Sequence, residues 1–198
     1  DTGAFADDRY FDIEVQYAKA SPGEIHMRVL AHNRGPEPAP LHLLPTLWFR
    51  NTWSWEAEPV RPKLGSETAP LGAAWCVRAE HAELGHWWLY GRQPGQQLFT
   101  ENDSNGARLW GETGGTPAKD AFHRLIAGGE VSAVDPQRGQ GTKFAAWHVF
   151  DVPAGQQVRI DLVVSSEPLA TPFNRAEVVL SSRLAEADAF YHELLPDA

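Results

Sequence analysis

The chain has 198 residues, 42% of them hydrophobic, enough to bury one substantial core within a single domain. Its 26 acidic residues outweigh 17 basic ones, a net charge of −9, and no basic block is present to neutralise a run of phosphates. That balance argues against nucleic acid as a partner, and no apolar stretch is long enough to cross a bilayer as a helix. The single cysteine, Cys76, has no mate for an internal disulfide. Within Ala73-Ala74-Trp75-Cys76-Val77 it reads as a buried, inert thiol and points to a reducing, cytoplasmic setting. The N-terminus has neither an initiator methionine nor a signal-peptide pattern, so the expectation is a piece of a longer protein.

Tyr10 to Tyr17 alternates, with Phe11, Ile13, Val15 and Tyr17 on one face and Asp12, Glu14 and Gln16 on the other, the period of a half-buried strand. Ala20-Ser21-Pro22-Gly23 supplies a turn, and Ile25 to Ala31 resumes the alternation, which predicts an antiparallel hairpin. Asn33-Arg34-Gly35-Pro36 makes the next turn. Leu41 to Thr52 is an apolar run that Pro45 should break or bulge at a sheet edge. Glu58 to Gly72, rich in proline and glycine, reads as loop. Strands are expected at Ala73 to Glu80, His86 to Tyr90, Gln97 to Thr100, Lys143 to Phe150 and Val158 to Val164, at the spacing of a sandwich.

Pro153-Ala154-Gly155-Gln156 should join the last two strands as a second hairpin. Between the hairpins, Asp120 is placed to cap a short helix, Ala121 to Ala127, which Gly128-Gly129 stops. From about Asn174 the period becomes helical, with Leu180, Leu184, Ala187, Tyr191 and Leu194 forming one stripe of a terminal amphipathic helix. The expected architecture is therefore mainly β: an antiparallel, supersandwich-like β-sandwich over residues 1–172 with one short internal helix. A helical connector at 173–198 follows it.

Catalytic signatures are absent: no nucleophile elbow, phosphate-cradling glycine loop, zinc helix or cysteine cluster can be read, and no cofactor is implied. His26 and His32 could face one side of a strand, but they stand six residues apart with no third ligand, so no metal site is assigned. Asp103-Ser104-Asn105-Gly106 resembles a fragment of a calcium loop but lacks the later ligands and the bidentate glutamate, which leaves turn chemistry as the reading.

The eight tryptophans are more informative. Trp48, Trp53 and Trp55 crowd one stretch, and Trp87-Trp88 lie farther on. Indoles stack on the apolar faces of sugars, and they also anchor cores and interfaces. In an alternating strand Trp53 and Trp55 would share a face, and packing is favoured over direct sugar contact. Two polar runs, Glu101-Asn102-Asp103-Ser104-Asn105 and Lys119-Asp120 with His123, hold donors and acceptors suited to hydroxyl groups, as solvated loops also would.

Arg9-Tyr10-Phe11-Asp12, Asn33-Arg34-Gly35-Pro36 and above all Leu41-His42-Leu43-Leu44-Pro45-Thr46-Leu47-Trp48-Phe49-Arg50-Asn51-Thr52-Trp53-Ser54-Trp55 resemble the N-terminal region of bacterial glycoside hydrolase family 63-like proteins. Phe99 to Asn105, Leu109-Trp110-Gly111, Lys119 to His123 and Gly141-Thr142-Lys143 follow in the same order, so the resemblance covers almost the whole chain. Asp103 and Ser104 stand where the family's motif has Glu and Thr.

The resemblance implies an accessory β-sandwich packed on a catalytic (α/α)-barrel, in enzymes related to processing α-glucosidases and mannosylglycerate hydrolases. Their acid and base are carboxylates of the barrel, and no catalytic residue maps onto this chain. Candidate sugar-binding or interdomain residues are Arg50, Asn51, Trp53, Trp55, Glu101, Asn102, Asn105, Lys119, Asp120, His123 and Lys143. The expected partners are the barrel of the same polypeptide and an oligosaccharide or small glycoside. Sandwich strands missing upstream would leave edges prone to self-association. An independent carbohydrate-binding module, or an interaction domain without sugar contact, are the competing expectations.

Overall fold

The structure, a computed structural model, describes residues 6–55, 57, 58, 60–113 and 117–195. The expected first hairpin forms: β1 (Phe11–Ser21) and β2 (Glu24–Asn33) pair antiparallel, with Tyr17 opposite Met27. Pro22-Gly23 turns the chain so closely against Ser166 that a Cβ at Gly23 would lie 2.2 Å from the Ser166 hydroxyl oxygen, so a side chain there would have to turn that hydroxyl aside. β2 lies between β1 and β11 (Gln157–Ser165). The ladder continues through β7 (Gly85–Gly91), β6 (Trp75–His81), β5 (Lys63–Glu67) and the short β9 (Gln140–Gly141) to make a seven-stranded antiparallel sheet.

β5 lies inside the stretch read as loop. Its Lys-Leu-Gly-Ser-Glu sequence has little intrinsic strand preference, and the free edge of β6 recruits it through five cross-strand pairs.

The second sheet is narrower. β10 (Lys143–Val152) pairs on one side with β8 (Gln96–Thr100). On its other side run β3 (Ala39–Leu43) and β4 (Thr46–Trp48), two halves of one strand interrupted at Leu44-Pro45. The register does not slip across the break, since Leu43 faces His148 and Thr46 faces Ala145. Pro45, which has no N–H to give, still accepts from the Ala146 N–H at 3.0 Å. The sheet is thus three strand-widths across, facing seven.

The turn at 153–156 is not a hairpin. β10 and β11 belong to different sheets, and the turn carries the chain from one layer to the other. Gly155 adopts φ +68°, and the buried Asn33 fixes the arch, its amide donating to the carbonyl oxygens of Val152 at 2.9 Å and Glu37 at 2.8 Å. The alternation of both strands was legible, but which sheet each joins depends on partners distant in the chain.

The core lies between the sheets, with Phe144 and Phe99 of the narrow sheet against Trp75, Val77, Leu89, Ile160 and Leu162 of the wide one. The outer face of the narrow sheet is capped by α2 (Ala121–Ile126) and the 3₁₀ turn Val131–Ala133, through Leu98 and Ala145 against Ala121, Phe122 and Ala133. The outer face of the wide sheet is covered by the segment leading into α3 (Ala176–Leu194), with Phe173 and Ala176 on Cys76, Tyr90 and Val163. Burial pushes the Cys76 thiol up to about 12. The expected result is that a thiol reagent at neutral pH labels Cys76 only as fast as the chain unfolds; rapid labelling of folded protein would contradict this burial.

Two sequence expectations about faces are corrected. Ile13, Val15 and Tyr17 of β1 are 48%, 45% and 70% exposed, because the narrow sheet ends before reaching β1. In α3 only Leu180 of the predicted apolar stripe is buried, while Leu184, Tyr191 and Leu194 remain exposed beyond the docked first turns. No helix among the described residues is long and apolar enough to cross a membrane.

Charge contacts add to the apolar docking of α3. Glu177 accepts from Arg28 Nη2 at 2.6 Å and from Arg159, both of which also bond Asp161. Those two guanidinium groups depress the Glu177 pKa to about 2. A depressed carboxylate contributes stability above its unfolded pKa, near 4.5, and loses it as pH falls through the folded value. Hydrogen exchange of the first turn of α3 should therefore accelerate between about pH 4.5 and 2, ahead of the β-sheet amides, and Glu177→Gln should remove that pH dependence.

Candidate functional site

Three segments far apart in the sequence meet at one end of the narrow sheet. The chain leaves β4 at Trp48 and closes a 3₁₀ turn, Trp53–Trp55. That turn splits the two tryptophans expected to share a face: Trp53 is 4% exposed and Trp55 is 66% exposed. Strand alternation fails there because Asn51 ends the extended backbone, its side-chain oxygen accepting from the Ser54 N–H at 3.1 Å.

Asp103 is the hub. Its carboxylate accepts from the Trp53 indole N–H at 3.1 Å, the Asn51 amide at 2.9 Å and the Arg61 guanidinium at 2.7 Å. The buried Asn102 donates its amide to the Phe49 carbonyl oxygen at 2.9 Å and its backbone N–H to the Thr142 hydroxyl at 2.7 Å. Glu101 accepts from Thr142 at 2.8 Å and from Arg138. The Lys119 N–H donates to the Asp103 carbonyl oxygen at 3.0 Å, bringing in the third segment.

Above this framework lies an open hollow of about 470 Å³ lined by Trp48, Asn51, Trp55, Asn102, Lys119 and Lys143, with Ser54 and Ser104. Trp48 and Trp55 present rings 56% and 66% exposed, and the Arg50 guanidinium lies 5.2 Å from the Trp55 ring centre. Lys143 is half-buried, donating to the Lys119 carbonyl oxygen at 2.9 Å and lying 5.2 Å from the Phe122 ring centre. Burial pushes its pKa down, the Lys119 charge adds to that, and Asp120 opposes it. The Lys119 ammonium donates to the Ser104 hydroxyl at 3.1 Å. Two ammonium groups, amides and two exposed indoles around one hollow can hold a hydroxyl-rich molecule by hydrogen bonds and stacking.

The carboxylates nearby are already engaged. Glu101 and Asp103 are ion-paired, and Asp120 accepts from the Asn105 amide at 3.1 Å. Asp120 does not cap α2 with its side chain; Asn105 instead caps α1 (Gly106–Trp110), accepting from the Arg108 N–H at 3.1 Å. Among the described residues no group of three His, Cys, Asp or Glu side chains could hold a metal ion, and His26 lies 2.7 Å from Glu24 within the sheet.

Of the sequence-derived candidates, Asn51, Trp55, Asn102, Lys119 and Lys143 line the hollow, Trp53 and Glu101 belong to the hydrogen-bonded framework around Asp103 and Thr142, and Asn105 and Asp120 bond each other, with Asn105 lining a separate hollow. Arg50 stacks on the rim. His123 sits exposed on α2 and is not part of the lining. Arg61, Arg138 and Thr142 were missed as supports; only their place in the fold brings them to Glu101 and Asp103. Trp87 and Trp88 turn to opposite faces of β7, Trp87 toward the core and Trp88 toward the outer face with Arg78. Asp103→Ala is expected to cost about 1–3 kcal/mol, because it strands the buried Trp53 N–H and an Asn51 donor. A lowered urea midpoint with a shift in tryptophan fluorescence would report it.

No family model matches the chain. The chain is 27% identical to the uncharacterized protein YMR196W of Saccharomyces cerevisiae over 227 aligned residues, covering 96% of this chain and 21% of the yeast protein. The chain therefore spans about a fifth of that relative's length.

Proposed function

We propose that this chain is a non-catalytic accessory sandwich of a longer, family 63-like glycoside hydrolase. In this reading it packs on a catalytic (α/α)-barrel and lends the Trp48–Trp55 end to the rim of the barrel's sugar pocket. The observation that carries the reading is convergence: the Leu47 to Trp55 stretch, the Glu101 to Asn105 run and Lys119 with Lys143, the segments of the family resemblance, assemble one tryptophan-flanked polar hollow. Its carboxylates are committed to structural bonds, so they serve positioning better than proton transfer. The exposed stripe of α3 offers a surface for a following domain.

The purified chain should turn over no α-glucoside. Robust hydrolysis abolished by one carboxylate change inside it would defeat the proposal. A freestanding carbohydrate-binding module is the second reading, favoured by the exposure of Trp55. Titration with oligosaccharides separates the two. The accessory reading expects no saturable change in tryptophan fluorescence with the chain alone, whereas a module gives one that Trp55→Ala removes.

A further inference from the structure

The wide sheet presents an inner apolar face that the narrow sheet does not fully cover. At the uncovered end lies a groove of about 460 Å³. Its floor is Val15 and Tyr17 of β1 with Met27 of β2, its wall is Leu43, Leu44 and Leu47 of the β3–β4 edge, and no charged side chain among the described residues lines it.

We infer that this groove seats one added β-strand, supplied by polypeptide outside these 198 residues, which runs along β3–β4 and closes the narrow sheet over β1. The wall selects the occupant. Among the described residues, β3 and β4 pair with β10 on one side only. Because the Pro45 carbonyl points to Ala146, the alternate residues His42 and Thr46 turn their main-chain groups away from β10, toward the open edge. An extended backbone can answer those groups while its alternate side chains enter the apolar floor; a helix or an acyl chain would bury them unanswered.

The edge able to pair runs over residues 41–48, about 26 Å at strand rise, since Pro40 has no N–H to offer; within it the Leu44 carbonyl oxygen already accepts from the Thr46 hydroxyl at 2.8 Å, which leaves the His42 and Thr46 main-chain groups as the ones an added strand answers. The source of the strand rests on the longer-polypeptide reading above, since the similar yeast protein has roughly four-fifths of its length outside the matched stretch.

Hydrogen exchange on the 198-residue chain, and on the polypeptide extended to the ends of its reading frame, tests this. The His42 and Thr46 amides should exchange freely in the short chain and slow by at least about a hundredfold in the extended one. Val15→Glu in the extended chain should restore fast exchange there while leaving the Phe144 amide protected. In the short chain the same variant should keep the unfolding midpoint, Val15 being 45% exposed.

Equal exchange of the two amides in both lengths would overturn the strand. So would protection confined to β1, or protection that grows with protein concentration and marks a second copy in the groove. The longer-polypeptide reading fails separately: a reading frame with no further residues sinks it, whereas an extended chain carrying a helical barrel but open His42 and Thr46 amides sinks only the strand.

Discussion

Replacing Phe144 with alanine is expected to destabilise the chain by about 3–5 kcal/mol, read as a fall in the urea midpoint at unchanged m-value. Phe144 is fully buried, and its ring centre lies 5.1 Å from Phe99 and 5.4 Å from Trp75, so it is the side chain through which the narrow sheet grips the wide one. The cavity opens between two twisted sheets that cannot close without shifting the strand pairings of β10 on both sides. Lys143 is the preceding residue, so the same change should loosen the hollow and make Trp48, the cross-strand partner of Lys143, more mobile. A loss under about 1 kcal/mol would mean that the sheets do not pack as described.

Asp161→Ala is expected to cost about 3 kcal/mol or more, for an electrostatic reason. Asp161 is 2% exposed and sits directly across the ladder from Arg28, whose Nε donates to it at 3.0 Å; Arg159 reaches it at 2.8 Å and Arg92 lies 3.8 Å away. Removing the anion leaves Arg28 and Arg159 side by side with only Glu177 among the described residues to answer them, and the side chain of Glu177 is itself 61% exposed. A double-mutant cycle with Arg28→Ala should return a coupling energy above about 1 kcal/mol. Exchange in the first turn of α3 should rise in the single variant, because the cluster is the electrostatic anchor of that helix. Additive effects would show that Asp161 and Arg28 are merely neighbours.

Local pattern was enough to find the strands of the first hairpin and most later ones, because period-two alternation in Phe11 to Tyr17 or Val158 to Val164 is a property of contiguous residues. It was not enough to find β5, whose residues favour nothing by themselves, nor to separate β10 from β11, whose connection looks like a hairpin until the layers are known. The candidate site was half legible. Asn51, Trp55, Asn102, Lys119 and Lys143 stood out as polar or aromatic residues in short runs, while Arg61 and Arg138 carried no local mark and Thr142 stood out only as part of Gly141-Thr142-Lys143, with no role attached.

The sequence by itself determined the mainly β class, the buried thiol at Cys76, the break at Pro45 and the terminal helix, since each follows from backbone geometry and side-chain polarity within a few residues. Tertiary structure alone decided that a sheet three strand-widths across faces one of seven, that Trp53 is buried while Trp55 is not, and that Asp103 gathers donors from two distant segments. Those outcomes depend on which strand edges meet and where a sheet ends, and the free energy of such meetings belongs to pairs of residues separated by tens of positions.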